Sequence, residues 1–241
     1  MPETYCERAI VLNRRPYRGY DYRVSFYTRE RGKIDLLVKG AMRPNSRLAS
    51  HVEPFTLLDL MVISGRIAYL GGAVSRDCYP NLKSDFDKIT AAGKAFQRLN
   101  RLLKENVSDE KIFDLAAAFL GLLDRQTAEP VWYNWLSELF IYKIFEHLGY
   151  SLNISHCRTC RKDLLEEKEV IFSYADHSLL CQMCGASVVN TVSYRLSKLK
   201  FLKKFINEPL SATVISNSRI DLDDSRQFLE LRNNLLMEEI T

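Results

Sequence analysis

The chain has 241 residues, of which 46% are hydrophobic and 27% charged, and its formal net charge is only +4. This length and composition indicate one large globular domain or two to three small ones, and exclude a disordered or low-complexity chain. No run approaches the roughly 20 apolar residues of a membrane span, and no secretory signal pattern is visible. We therefore expect a cytoplasmic protein without a membrane partner, whose six cysteines are reduced or metal-bound.

The first 80 residues predict short β-strands. Tyr22, Val24 and Phe26 alternate with more polar residues, which is the period of a half-buried strand. Glycine-containing turns separate such segments, and no helical pattern interrupts them. Five short strands in this arrangement predict a small β-barrel. The predicted strands span 8–14, 22–28, 33–40, 54–63 and 66–74.

After Pro80 the apolar residues recur at steps of three and four, which predicts helices. The segment that begins at Pro130 and stops at Gly149 is apolar nearly all round, so we expect it to be the central, most buried helix. The fold class is therefore α+β, with a barrel domain at 1–80 and a helical domain at 81–241. The predicted helices span 86–106, 109–126, 130–150, 193–207 and about 224–238.

Two Cys-x-x-Cys pairs, separated by twenty residues, form a small module at 154–188 inserted in the helical domain. This spacing is typical of a four-thiolate zinc site, because each short turn brings two sulfurs to one point. The segment between the pairs predicts a β-hairpin with its turn at Ala175-Asp176, and Gly185 is expected to ease the chain reversal that follows. The four predicted ligands are Cys157, Cys160, Cys181 and Cys184.

Four thiolates fill a tetrahedral shell, whereas a catalytic zinc keeps one position open for water. We therefore predict one structural Zn²⁺ and no catalytic residue. The alternatives are a catalytic zinc, a redox pair, and a degenerate Cys-x-x-Cys turn, or knuckle, that binds no metal. His156 and His177 flank the cysteines and are interpreted as bystanders.

Positive charge is concentrated near the N-terminus. Residues 8–47 hold eleven Lys and Arg against three acidic residues, a net charge of +8. This density indicates an anionic partner, although a solvated strand face is the simpler alternative. Tyr17, Tyr20 and Tyr27 are interleaved aromatics that either stack on bases or belong to the barrel itself. The candidate DNA-binding residues are Arg14, Arg15, Arg18, Lys33, Lys39, Arg43 and Arg47.

The predicted helix 193–207 carries a second basic face, which is either solvated or a further contact for DNA or an acidic protein tail. Its members in this hypothesis are Arg195, Lys198, Lys203 and Lys204.

The N-terminal motifs resemble those of bacterial RecO proteins: an "AIVL" strand, a "TRERGK" turn, a "VKGAMR" strand end and a "PFTLL" segment. The run "HLGYSLNISHCRTC" is similar to the zinc-bearing branch of that family. In this sequence the motifs occupy Ala9–Leu12, Thr28–Lys33, Val38–Arg43, Ser46 and Pro54–Leu58. Gly19 and the acidic C-terminal segment depart from the family pattern.

The resemblance implies an oligonucleotide-binding (OB) barrel that binds single- and double-stranded DNA. It further implies annealing of complementary strands and, together with RecR, loading of RecA on DNA coated by single-strand binding protein, SSB. Such a protein is a non-enzymatic, cytoplasmic and nucleoid-associated factor of homologous recombination, and it contacts the C-terminal tail of SSB. One alternative is an RNA-binding or ribosome-associated OB/zinc-ribbon protein. A less favoured alternative is a metal-dependent nucleic-acid enzyme, which needs clustered carboxylates, whereas those of this chain are scattered.

Overall fold

The computed structural model describes residues 3–195, 199, 202, 205, 208–210 and 219–240. The chain forms two compact units, 1–127 and 128–241. This division differs from the sequence-based boundary at 80/81, which coincides with the change from strands to helices. The helices that follow the barrel belong to its unit, because they contact barrel residues directly.

The first unit contains a closed five-stranded barrel, as the sequence predicts, with the strand order β1-β2-β3-β5-β4. All pairs are antiparallel except β3 and β5, whose parallel contact joins Leu37 to Tyr69 and closes the barrel. Alternate side chains such as Val24, Phe26 and Leu36 fill its interior. The strands are β1 (Thr4–Pro16), β2 (Tyr22–Thr28), β3 (Gly32–Val38), β4 (Leu57–Ile63) and β5 (Tyr69–Asp77), with a 3-10 turn at Ser50–Val52.

Three helices complete the first unit: α1 (Pro80–Ser84), α2 (Phe86–Leu102) and α3 (Glu110–Arg125). Asp85 and Asp109 cap α2 and α3 by accepting backbone N–H bonds of the first turn. The barrel contacts this layer through Tyr27, which is fully buried and donates its hydroxyl proton to the carbonyl of Asp109 at 3.0 Å. Tyr27 therefore belongs to the barrel itself and is not a base-stacking residue, in agreement with the second of the two interpretations of its sequence position.

The second unit is organised around α4 (Pro130–His147), which is buried continuously from Trp135 to Phe145. This confirms the predicted central helix. It packs against α6 (Arg219–Ile240), where the indole N–H of Trp135 donates to Ser225 and the amide of Asn233 donates to Glu138. No helix among the described residues has the length and apolarity needed to cross a membrane.

The cysteine module is a three-stranded sheet with the order β7-β6-β8, followed on the β7 side by the short helix α5 (Gln182–Gly185). Its strands are β6 (Glu169–Ser173), β7 (Ser178–Leu180) and β8 (Thr191–Arg195). The hairpin and its turn at Ala175-Asp176 are confirmed by the pairing of β6 with β7.

Strand β8 replaces the first turn of the predicted helix 193–207, so that prediction is wrong for residues 193–195. The segment 191–195 is rich in β-branched and aromatic residues and pairs along its whole length with β6, which outweighs the helical period that continues beyond it. Leu199, Leu202 and Phe205 are helical and buried, in agreement with the predicted apolar face.

Candidate nucleic-acid interface and metal centre

Two loops meet at one end of the barrel. The β1–β2 loop and the loop after β3 are joined by two hydrogen bonds: the backbone N–H of Met42 donates to the carbonyl of Tyr20 at 2.8 Å, and that of Gly40 donates to the Asp21 carboxylate at 2.7 Å. Gly19 and Gly40 adopt positive φ angles of 64°, which suit glycine in these tight turns. The basic residues of the two loops are thus held close together.

Each of four basic side chains in this region lies over a tyrosine ring. The pairs, with the distance from the cation to the ring centre, are Arg14 with Tyr22 at 5.0 Å, Arg18 with Tyr17 at 5.9 Å, Lys39 with Tyr69 at 4.3 Å and Arg43 with Tyr20 at 5.8 Å. We call these eight residues the tyrosine–cation cluster. A ring orients a cation without neutralising it, so the cluster keeps its positive charge.

Other cations of the segment 8–47 are neutralised by carboxylates. These pairs are Arg8 with Asp59, Arg15 and Arg23 with Asp35, Arg29 with Glu110 and Asp114, and Arg31 with Glu7. Within the part of the chain that the structure describes, no such ion pair involves the four cations of the cluster or Arg47, which is exposed in the loop after β3. The net charge of the segment is therefore concentrated at one end of the barrel.

Lys33 and Arg15 differ from the other candidate DNA-binding residues. The Lys33 ammonium donates to the carbonyl of Asn100 at 3.0 Å, in the last turn of α2, where a helix leaves carbonyls without internal partners. Lys33 is the second residue of β3, whereas Lys39 follows the end of that strand. Arg15 lies 3.9 Å from the carboxylate of Asp35, which also pairs with Arg23, so the positive charge of Arg15 is partly neutralised.

Tyr22 and Tyr69 are cluster residues that sequence reasoning did not single out. Tyr22 opens β2 and Tyr69 opens β5, and both are half-buried. Their sequence signal is an aromatic residue at a strand end next to a polar loop, which is also the signal of an ordinary rim residue.

The four predicted zinc ligands converge in the second unit. The Sγ atoms of Cys157, Cys160, Cys181 and Cys184 all lie within 4.8 Å of one another. The Cys160 and Cys181 sulfurs are 3.7 Å apart, and a tetrahedral metal with bonds of about 2.3 Å places its sulfur ligands about 3.8 Å apart. The donor set and its spacing therefore fit a closed zinc site. A zinc ion held by these four sulfurs would cross-link the module and have no open coordination position.

The group of four cysteines also has the electrostatics of a cation site. Burial acts to raise the pKa of the Cys157 thiol, but the backbone N–H groups of Cys160, Cys181 and Thr159 oppose it, and the net pKa lies below its usual value. The Cys184 thiol donates hydrogen bonds to the neighbouring sulfurs of Cys181 and Cys160, which raises its pKa. The Cys157 thiolate therefore forms readily and the Cys184 thiolate does not, because adjacent negative charges repel unless a cation joins them.

Local backbone geometry explains how the cysteines are positioned. In the first knuckle the N–H of Arg161 donates to the carbonyl of Cys157 at 3.0 Å, and Arg161 has a φ of 63°. Gly185 serves close packing instead of chain reversal: a Cβ there would lie 2.5 Å from the Ile171 side chain, and its φ is not positive. His156 and His177 are not part of the group of potential ligands.

Comparison with known proteins identifies the family. Residues 1–70 match the model described as "Recombination protein O N terminal", and residues 83–234 match "Recombination protein O C terminal". The chain belongs to the RecO family. This confirms the resemblance seen in the sequence.

Similar RecO proteins cover most of the chain. A protein of Geobacter metallireducens, named DNA repair protein RecO, is 29% identical over 184 residues, covering 76% of this chain and 73% of its own. Proteins with the same name from Desulforamulus reducens and Clostridium kluyveri are 26% identical over 196 and 211 residues, covering 81% and 87% of this chain and 74% and 80% of theirs. The tyrosine–cation cluster falls within the RecO N-terminal match, and the four cysteines fall within the C-terminal match.

The second basic face remains a prediction for this RecO chain. Arg195 lies at the end of β8, opposite Glu169 of β6, and not on a helix as predicted. Lys198, Lys203 and Lys204 lie outside the described residues.

Proposed function

We propose that this chain is a DNA repair and recombination mediator that binds single- and double-stranded DNA, anneals complementary strands and helps load RecA on SSB-coated DNA with RecR. The tyrosine–cation cluster is the observation that carries this proposal. Membership of the RecO family supports it, since the similar proteins named above are called DNA repair proteins.

The cluster has the components of sequence-independent strand binding. Its cations attract phosphates, and the exposed ring of Tyr20, with 61% of its surface accessible, offers a face for base stacking. Contacts to phosphate carry no sequence information, as a protein that anneals arbitrary strands requires. Arg47 adds an exposed charge beside the same loops.

Annealing on such a surface needs no catalytic group. Positive charge reduces the mutual repulsion of two phosphate backbones and raises the local strand concentration. The proposal is therefore non-enzymatic, and Mg²⁺-dependent cleavage of DNA or RNA by the purified protein would contradict it. Competition between DNA and RNA strands of equal length separates the proposal from the RNA-binding alternative.

We assign the protein contacts to residues 81–241. The acidic tail of SSB and RecR are the proposed partners, and the second basic face, Arg195, Lys198, Lys203 and Lys204, is the proposed contact for the SSB tail. A photoreactive SSB tail peptide should cross-link to 81–241, and cross-linking to 1–80 alone would contradict this assignment. In the cell we expect the protein in the cytoplasm, associated with the nucleoid.

The deciding experiment is annealing of complementary strands coated with SSB. The protein should accelerate annealing, and Lys39→Gln combined with Arg43→Gln should remove most of the acceleration. Arg76→Gln is the matched control, because Arg76 lies on the same barrel but is already paired with Asp59. Equal losses in both variants would contradict the cluster as the strand-binding site.

A further inference from the structure

A polar cavity of about 220 Å³ lies in the second unit, between the first cysteine knuckle, the β6–β7 turn and the residues that precede the knuckle. The residues that matter for its chemistry are Arg158, Arg161, Asn153 and Asp176. Arg158 and Arg161 are exposed, and among the described residues neither forms an ion pair. The function proposed above makes no use of this cavity.

The guanidinium and amide groups of the cavity are donors, and His156 and His177 also line it. Arg158 and Arg161 present guanidinium N–H groups and cannot accept a hydrogen bond. The side-chain oxygen of Asn153 already accepts the backbone N–H groups of Ser155 and His156, at 2.9 and 3.2 Å, so the amide nitrogen remains to donate. A ligand with several acceptor oxygens suits this set.

The Ser178 hydroxyl does not contribute to this donor set. Its oxygen is buried from solvent, and Ser178 pairs across the hairpin with Ser173, whose buried side chain lies on the same face. The backbone beside it is fixed, because the N–H of Arg158 donates to the carbonyl of Leu179 at 3.0 Å.

Size restricts the ligand to a small group. The cavity is below the roughly 300–1,000 Å³ of sites that enclose drug-sized molecules. It still holds several water volumes of about 30 Å³ each. Two guanidinium groups with an amide donor match a phosphate, since guanidinium binds phosphate oxygens through paired hydrogen bonds.

We propose that this cavity is a phosphate subsite for a second nucleic-acid strand. The inference rests on the proposed function and deepens it, because annealing requires two strands on the protein at once. Each strand then has its own cationic site: the tyrosine–cation cluster in the first unit and the cavity in the second. Asp176, the one carboxylate among the described residues that line the cavity, opposes the two guanidiniums and limits the affinity.

The competing explanation is that Arg158 and Arg161 only balance the metal centre. Four thiolates around Zn²⁺ carry a net charge of −2, and both arginines belong to the knuckle or follow it directly. On that explanation their removal weakens zinc retention and leaves DNA capture unchanged. Asp176 separates the two explanations, because it belongs to the hairpin turn and not to either knuckle.

The test uses the full-length, zinc-loaded protein. A single-stranded oligonucleotide fixed to beads is saturated with protein, and capture of a second, non-complementary fluorescent strand is then titrated. Arg158→Gln with Arg161→Gln should weaken second-strand capture by at least roughly tenfold, since a single charge-assisted contact is worth about that factor, while first-strand binding changes less than about twofold. Asp176→Asn should strengthen second-strand capture. Lys168→Gln, an exposed charge on the same module outside the cavity, should change neither.

Zinc content is measured for every variant. Unchanged second-strand capture in an arginine variant that retains its zinc overturns the inference. If the arginine variant loses its zinc, Asp176→Asn decides, and unchanged capture in that variant overturns the inference. A wild-type protein that captures no first strand contradicts the proposed function as well. If the first strand is captured but the substitutions do not change second-strand capture, only this inference is contradicted.

Discussion

The ammonium of Lys39 lies 4.3 Å from the centre of the Tyr69 ring, which joins the end of β3 to the start of β5. These strands form the parallel contact that closes the barrel, with Leu37 opposite Tyr69. The exposed cation–ring contact is worth about 0.5–1 kcal/mol, enough to orient the side chain without holding it against a competing phosphate. Barrel closure therefore fixes the position of an exposed positive charge.

Salt dependence should reveal the phosphate contacts of the cluster. Lys39→Gln with Arg43→Gln should weaken DNA binding about equally for unrelated sequences. It should also reduce the slope of log affinity against log salt by about 1.4, since each single-strand phosphate contact contributes about 0.7. Affinity is measured for two unrelated oligonucleotides from low to moderate salt. An unchanged slope would remove these residues from the DNA site, and Arg76→Gln serves as the control.

Tyr20 and Tyr27 should respond differently to mutation. Tyr27→Phe removes the hydroxyl that donates to the Asp109 carbonyl and accepts its N–H, so it should cost about 1–3 kcal/mol of unfolding free energy and leave DNA affinity unchanged. Tyr20→Leu should weaken single-strand binding and leave stability nearly unchanged, because Tyr20 is exposed. Chemical denaturation and oligonucleotide titration of both variants separate the roles. A loss of DNA affinity in folded Tyr27→Phe would contradict this assignment.

The cysteine site could be predicted because ligand spacing is local and two short turns suffice to define it. The barrel could be predicted for a similar reason, since alternation within each strand is also local. The tyrosine ring beside Lys39 could not be predicted, because Tyr69 is thirty positions away in the sequence and lies near Lys39 only through the parallel pairing of β3 with β5. Lys33 illustrates the same limit: it lies in a segment rich in basic residues, but its partner is a helix carbonyl at Asn100.

Two glycines of the first unit should give opposite results when changed to alanine. Gly32 has a φ of 75°, and a Cβ there would lie 2.1 Å from the carbonyl oxygen of Val107. Gly32→Ala should cost at least about 3 kcal/mol, because the positive φ alone costs of order 1–3 kcal/mol and the overlap adds to it. Gly93 lies in α2 with open space around it, so Gly93→Ala should stabilise the protein by about 0.5–1 kcal/mol. Denaturant unfolding measures both, and comparable stabilities of the two variants would contradict the described turn.

Alkylation should count the metal-bound thiols. The purified protein should contain about one zinc per chain, and only Cys6 and Cys78 should react before the metal is chelated. Cys160 is exposed, so its protection can come from a metal but not from burial. Mass spectrometry after alkylation, with and without chelator, should therefore show two and then six modified cysteines. A metal-free wild type, or a Cys160 that reacts at once, would contradict the zinc site.

Removing one predicted zinc ligand should destabilise the cysteine module of the second unit and leave DNA binding by the first unit intact. Cys157→Ser or Cys181→Ser should release the metal and make the 157–184 hairpin the first protease-sensitive segment. The loss of stability should be smaller than the about 10 kcal/mol or more that zinc binding supplies in isolated finger peptides, because α4 and α6 have their own core. First-strand DNA binding should survive, since the tyrosine–cation cluster belongs to the other compact unit. Metal analysis, limited proteolysis and filter binding test these outcomes, with Cys78→Ser as the control. A variant that stays folded but loses all DNA binding would show that the knuckles, and not the barrel, hold the first strand.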